Sequence, residues 1–242
     1  MKIIFTVLVS ILTFQGFSQD QYSGTQVLYN TFWIKTSQGT LSAFVIEYNG
    51  KELLISALHG FKKSIASSSK IKFQININKM WKTFDAILYH MPDTSIDIAI
   101  LVLNERIQHQ KPYDLCGDVM IGEECRFYGF PYGRYFLTDA GDRYIPFIKR
   151  ALVSSVQGNV DFLDGMNNPG FSGGPVVIKD VYSKQYKILG AISGYHPQSD
   201  SIVRKNKDTV EVIKYQENSG IIYCYPIQDV KPILDSLTSK VP

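Results

Sequence analysis

Ile71, Phe73, Ile75 and Ile77 alternate with Lys72, Gln74, Asn76 and Asn78. An apolar residue at every second position is the pattern of a half-buried strand, because successive side chains of an extended chain point to opposite faces. Phe44 to Ile55 reads as a hairpin around Asn49-Gly50, a pair suited to the positive φ angles of a two-residue turn. Val176-Val177-Ile178 and Tyr186-Lys187-Ile188-Leu189 read as neighbouring strands joined by a polar loop. A helical pattern fits only the tail, where Asp229 is expected to cap a run carrying Val230, Ile233, Leu234 and Leu237. Pro232 falls in its first turn, where a missing N–H is tolerated. Many short strands separated by turns predict an all-β sandwich or barrel. There is no internal repeat and no low-complexity tract.

Residues 1–18 read as a secretory signal: Lys2 supplies the charged start, Ile3 to Phe14 the apolar stretch, and Gly16-Phe17-Ser18 a small-x-small cleavage site. The apolar stretch is too short for a membrane span, and no cysteine follows closely enough for a lipid anchor. No later segment is apolar for long enough to cross a bilayer, so a soluble protein, secreted or periplasmic, is expected. The net charge is +3, one unit of it in the signal, which is too mild to argue for nucleic acid. Arg204-Lys205-Asn206-Lys207 reads as a solvated hairpin tip, with Asp208 and Glu211 following. Of the three cysteines, Cys125 and Cys224 read as buried thiols, while a Cys116–Cys125 bridge is conceivable. Four scattered histidines and the lack of Cys-x-x-Cys give no metal site, and no cofactor is expected.

Three segments carry chemistry. Asn168-Pro169-Gly170-Phe171-Ser172-Gly173-Gly174-Pro175 sets one serine in a glycine-rich turn that opens onto an apolar strand. Glycines there clear the approach and permit positive φ, and such a turn can aim backbone N–H groups at a developing oxyanion. Leu53 to Gly60 is an apolar run that ends in His59, and Asp97 heads the run Ile98-Ala99-Ile100-Leu101-Val102-Leu103. A carboxylate in that position is costly to bury without a partner. His59 would be the partner through Nδ1–H, leaving Nε2 to take the proton of Ser172. Each residue alone has an ordinary reading: a tight turn, a satisfied core histidine, a strand-end cap. The order His, Asp, Ser, each in matching surroundings, favours the joint reading. Asp93, in Met91-Pro92-Asp93-Thr94, reads as a solvated turn residue.

Over residues 28–238 the sequence resembles the trypsin-like (chymotrypsin-fold) serine proteases, and more closely their HtrA-like bacterial branch. Ala57-Leu58-His59, Asp97-Ile98-Ala99-Ile100-Leu101 and Gly170-Phe171-Ser172-Gly173-Gly174-Pro175 resemble the three family motifs. Weaker similarities lie in Gly129-Phe130-Pro131-Tyr132-Gly133, Gly190-Ala191-Ile192-Ser193-Gly194 and Gly220-Ile221-Ile222-Tyr223-Cys224-Tyr225-Pro226. The resemblance implies two packed six-stranded antiparallel β-barrels with a short C-terminal helix. After an extension over 19–27, residues 28–108 would form the first barrel, carrying His59 and Asp97, and 109–242 the second, carrying Ser172 and the helix. The chain ends soon after that helix, so the PDZ domain that many HtrA-like proteases append is expected to be absent.

The resemblance also implies roles. Ser172 would be the nucleophile, His59 the base and then the acid, and Asp97 the group that fixes the imidazole tautomer. The N–H groups of Gly170 and Ser172 would form the oxyanion hole, while Ser193 would support Asp97 and offer a backbone edge to substrate. The remaining cleft positions would be Met166, Gly194, Tyr195, Gly220 and Ile222. Met166 at the pocket floor, with Ile222, implies an uncharged, apolar or medium-sized side chain before the scissile bond, and Tyr195 would narrow the entrance. Phe171 stands where the digestive members carry the aspartate that pairs with a newly cut N-terminus, so activity without that zymogen switch is expected. The function implied is an exported serine endopeptidase acting on protein or peptide substrates, with the oligomeric state open. Two alternatives stand beside it: a catalytically silent binding module of the same fold, and an α/β-hydrolase esterase. The esterase would need a helix after the serine of Gly170-Phe171-Ser172-Gly173-Gly174 and a downstream histidine, for which only His196 is available.

Overall fold

The structure is a computed structural model that describes residues 25–61, 65–107, 109–138, 141–180, 183, 185–206 and 209–239. The expected signal segment lies outside the described residues, as do Lys207 and Asp208 of the basic run. After a short helix α1 (Thr25–Asn30), six strands close the first barrel: β1 (Thr31–Thr36), β2 (Gly39–Tyr48), β3 (Lys51–Ser56), β4 (Ser69–Ile77), β5 (Met80–Tyr89) and β6 (Ala99–Leu103). They close in the order β1-β2-β3-β6-β5-β4, every pairing antiparallel. Next come β7 (Glu124–Gly129), a small ribbon of β8 (Phe136–Leu137) and β9 (Tyr144–Ile145), then β10 (Phe147–Gln157), β11 (Val160–Asp164), β12 (Pro175–Lys179), β13 (Tyr186–Asn206) and β14 (Thr209–Pro226). Apart from the β8–β9 ribbon these strands close a second barrel, β10-β11-β14-β13-β12-β7. A 3₁₀ turn (Ile227–Val230) leads into the C-terminal helix α2 (Lys231–Thr238).

The continuous apolar runs of β2, β3 and β6 follow from burial on both faces. Leu41, Ala43 and Val45 of β2 point into the first barrel with Leu54, Ala99 and Leu101. Phe44 and Ile46 point the other way, with Leu53, Ile55, Ile98 and Ile100, into a layer shared with Tyr128, Val177 and Ile188 of the second barrel and Val230 and Leu234 of the C-terminal segment. The second barrel has its own interior around Phe127, Val153, Leu163, Phe171, Val176 and Ile192. Two closed barrels and an apolar layer between them hold the loops at their junction in register.

Asn49 (φ +49°) and Gly50 (φ +76°) form the predicted two-residue turn between Tyr48 and Lys51. Asp229 does not cap the C-terminal helix. The 3₁₀ turn shifts the helix start to Lys231, leaving Val230 at the cap position and Asp229 with one buried oxygen that has no hydrogen-bond partner. Pro232 does fall in the first turn. The conceivable Cys116–Cys125 bridge is not formed: Cys116, Cys125 and Cys224 are all free and buried. Burial raises their thiols, Cys116 to about 11 and Cys125 to about 12, so they stay protonated and unreactive at neutral pH. Among the described residues no helix is long and apolar enough to cross a membrane.

Candidate active site

Ser56, the last residue of β3, pairs with Ala99, the first of β6. The residues just beyond those two strand ends are His59, in a 3₁₀ turn (Leu58–Phe61), and Asp97. The turn is tied to the opposite strand end by Leu58 N–H donating to the Asp97 carbonyl at 3.3 Å. His59 N–H donates to Asp97 Oδ1 at 2.8 Å, and His59 Nδ1 lies 2.6 Å from Asp97 Oδ2. With Nδ1 donating to the carboxylate, the imidazole carries its proton there and presents Nε2 as an acceptor. A third donor, Ser193 Oγ–H, reaches Asp97 Oδ2 at 2.5 Å. Asp97 is only 4% exposed. Burial pushes its carboxyl up, but the His59 and Ser193 hydrogen bonds and the imidazole's charge outweigh that and hold it below the ordinary aspartate range.

Ser172 lies in the loop before β12 of the second barrel. Its hydroxyl donates to the Ser193 carbonyl at 2.7 Å, and among the described residues no hydrogen bond joins it to His59. The loop backbone is pinned from both sides. Ser42 N–H donates to the Ser172 carbonyl (2.8 Å), Ser42 Oγ–H to the Gly170 carbonyl (2.7 Å), and Ser42 Oγ accepts from Phe130 N–H (3.1 Å). Gly173 N–H donates to the Ile192 carbonyl at 2.6 Å. Gly173 (φ +78°) has no room for a Cβ, which would collide with the Ser42 carbonyl and Ser56 Oγ. This contact is where the two barrels meet backbone to backbone.

The peptide between Pro169 and Gly170 has a fixed orientation. Phe171 N–H donates to the Asn168 carbonyl at 3.2 Å, closing a tight turn with Gly170 at φ +106°. Tyr132 N–H donates to the Pro169 carbonyl at 2.8 Å. In a trans peptide the N–H points opposite to the C=O, so the Gly170 N–H faces away from Tyr132. Among the described residues neither the Gly170 nor the Ser172 N–H has an acceptor within the protein. Tyr132 itself holds φ +53°, an uncommon region for a bulky residue, in a 3₁₀ turn (Pro131–Gly133). Trp33 of β1 backs that turn, stacking on Phe130 at 5.9 Å. Lys149 Nζ braces the other end of the loop, donating to the Met166 carbonyl (2.6 Å) and to Asn168 Oδ1 (2.5 Å). Phe171 is fully buried and packs edge-on against Phe127 at 4.9 Å, an apolar anchor where an ion pair would need a charged partner.

Met166 is 54% exposed, whereas Ile222 is wholly inside the second barrel. Ile222 therefore lies behind the cleft wall and offers no surface to a ligand. Gly194 and Tyr195 continue β13 beyond Ser193, and Gly220 (φ +82°) lies in β14, its carbonyl accepting from Gly165 N–H at 2.9 Å. The remaining histidines are engaged elsewhere: His90 with the Met91 and Ile65 carbonyls, His109 with Glu52, and His196 with the Tyr223 hydroxyl. Asp93 is a turn residue, its side chain accepting from Ser95 N–H at 2.9 Å. Among the described residues no cluster of three or more His, Cys, Asp or Glu could hold a metal ion.

Sequence reasoning gave no role to Ser42, Tyr132 or Lys149. Ser42 carried a signal, a fully buried hydroxyl inside the apolar run Leu41 to Ile46. Tyr132 lies in the Gly129–Gly133 segment that carried a weak family similarity but acts through its backbone, and Lys149, half-buried in β10 opposite Phe127, had no signal.

The architecture matches solved structures over nearly the whole chain. A serine endoprotease from Yersinia pestis superposes with a TM-score of 0.56 over 90% of this chain and 66% of its own, at 13% identity. An HtrA-type protease carrying a serine-to-alanine substitution, solved with a tripeptide, gives 0.54 over 91% and 64%, at 14% identity. The fold is that of the trypsin-like serine proteases. The chain spans just under two thirds of the length of these two relatives. No family model matches the sequence, and no curated protein does. A trypsin-like double barrel removes the α/β-hydrolase esterase: Ser172 leads into strand β12 rather than a helix, and the sheets are antiparallel barrels.

Proposed function

We propose that this chain is an exported serine endopeptidase in which Ser172 attacks the scissile carbonyl, His59 Nε2 takes its proton, and Asp97 fixes the imidazole tautomer and stabilises the imidazolium that forms. The observation that carries the reading is the three-donor cage on Asp97: it keeps a nearly buried carboxylate ionised and the neighbouring imidazole in the tautomer a general base needs. The unpaired N–H groups of Gly170 and Ser172 are the oxyanion donors, held by the Tyr132 and Ser42 hydrogen bonds.

Substrate binding and activation are coupled in this reading. A substrate lies along Ser193–Tyr195 as an added strand, and the N–H of the residue before the scissile bond takes the Ser193 carbonyl. That carbonyl now holds the Ser172 hydroxyl. Its capture releases Oγ–H to turn toward His59. The proton then passes to Nε2 as the Oγ–carbon bond forms, and the imidazolium returns it to the leaving amine. Water, deprotonated by the same imidazole, hydrolyses the acyl-enzyme and restores Ser172.

Exposed Met166 at the cleft suits an uncharged apolar side chain before the scissile bond. Phe171, anchored by Phe127, replaces the charged switch, so the enzyme needs no newly cut N-terminus. The test is hydrolysis of a peptide library by the chain lacking residues 1–18, with product ends sequenced. Cleavage after apolar residues, abolished in Ser172→Ala, is expected. Clean cleavage after Arg or Lys overturns the pocket assignment. No cleavage by folded protein favours a silent binding module of the same fold.

A further inference from the structure

Strand β13 does not stop where the barrel ends. Its pairing with β12 finishes at Pro175–Ala191, and Ile192 still exchanges hydrogen bonds with Gly173 and Gly174. From Ser193 onward its only ladder among the described residues is with β14. That ladder runs on through ten successive pairs, Pro197–Asn218 to Asn206–Thr209, a two-stranded ribbon about 30 Å long at ~3.3 Å per residue. Every residue from His196 to Val203 is exposed. At the root, the outer edge of β14 is taken by β11 through Asp164–Ile221, whereas the outer edge of β13 is open from Ser193–Tyr195 onward, with a register shift at His196 before the ribbon proper begins at Pro197.

Building on the protease reading above, we infer that the ribbon is an extended substrate-binding arm: the open edge of β13 beyond Tyr195 pairs with the polypeptide that precedes the scissile bond. A chain laid antiparallel on Ser193–Tyr195 points its N-terminal part along Pro197–Val203, so one extended segment that skips the bulge at His196–Pro197 can use both stretches. The arm also carries apolar pairs that nothing among the described residues covers. Ile202 faces Ile213 on one side, and Val203 faces Val212 on the other, with exposures of 39% to 54%. A ribbon with both faces in water is marginal on its own, and a third strand adds a main-chain ladder and cross-strand apolar contacts. The substrate is therefore bound through an extended segment with roughly ten residues before the cut, free of proline there, and apolar or β-branched at the two adjacent positions that meet Ile202 and Val203.

The test compares two fluorogenic peptides that share the same scissile core, with four or ten residues before the cut. The long one should be cleaved with kcat/KM about tenfold higher, mostly through KM, since several main-chain hydrogen bonds are gained against the cost of ordering. Replacing residues 199–216 by Asn-Gly, between the paired Gln198 and Glu217, should bring the long-to-short ratio close to one. N-methylation of alternate amides in the distal part of the long peptide should do the same with the natural arm in place. An unchanged ratio in either case, or equal cleavage of both peptides by the natural chain, overturns the arm. A truncation that alters only the oligomeric state in sedimentation also overturns it, in favour of a second copy on the ribbon. Titration with a fluorophosphonate reports the serine centre separately. A labelled enzyme with no length preference refutes the arm alone, and an unlabelled folded one refutes the protease reading and the arm with it.

Discussion

Asp97 and Asp161 are both buried aspartates, 4% and 1% exposed, and their surroundings drive them in opposite directions. Asp97, at the barrel junction, accepts from two atoms of His59 and one of Ser193 and is held ionised. Asp161, in β11 opposite Cys224, has an oxygen with no hydrogen-bond partner. Burial, reinforced by the charge of Asp229, raises it to about 6. Burial of an acid therefore marks nothing by itself. What separates a candidate catalytic carboxylate from a structural one is the set of donors aimed at it.

The contrast also has a sign in pH. Asp97 has a lowered pKa in the folded protein, so its contribution to stability is present above the ordinary aspartate value and is lost as pH falls through the depressed one. Asp161 has a raised pKa, so its contribution is present in acid and is lost as pH rises through about 6.

The sharpest break in the comparison is substitution of each aspartate by asparagine. Asp97→Asn removes the acceptor for His59 Nδ1–H, and kcat should fall about 10⁴-fold with the fold retained, as steady-state kinetics and circular dichroism would show. Asp161→Asn should leave kcat unchanged and raise stability at pH 8 by about 3 kcal/mol, because a carboxyl raised to about 6 by burial is forced to ionise there. That gain should shrink toward pH 4, where Asp161 is protonated in the folded chain, and urea unfolding at the two pH values checks it. A gain that grows in acid would contradict the assignment. Ser193→Ala removes one donor of three, and kcat should fall about tenfold. The carboxyl carbon of Asp97, followed by NMR, should titrate at higher pH in that variant. The smallest effect should come from Lys149→Met, which loosens the loop before Gly170. A loss of severalfold in kcat with KM nearly unchanged would fit a brace on the oxyanion donors.

Much of this was legible in the sequence where burial has a period. Alternation in β4 and the apolar runs of β2, β3 and β6 announced an all-β protein, because those strands must match a core, while the two antiparallel barrels came with the family resemblance. Of the ribbon of β13 and β14 only the tip was legible, in the basic run from Arg204, close to the last pair Asn206–Thr209. Its length was not, because most of it faces water on both sides and no alternation is imposed. The helix cap was misplaced because a 3₁₀ turn can begin a helix four residues early and carry the polar residue past the cap position. His59, Asp97 and Ser172 stood out because each breaks or ends an apolar or glycine-rich run. Ser193 needed the family resemblance, and the backbone grip of Ser42 and Tyr132 needed coordinates: a main-chain donor leaves no mark on residue type.

The most direct measurement is intact-mass analysis after fluorophosphonate treatment of the natural chain, Ser172→Ala and His59→Ala, each first shown to be folded. One adduct on the natural chain, mapped to Ser172, none on Ser172→Ala and almost none on His59→Ala is the result predicted by an imidazole-activated serine. A natural chain that takes no adduct, or a His59→Ala variant labelled as fast as the natural chain, would contradict it.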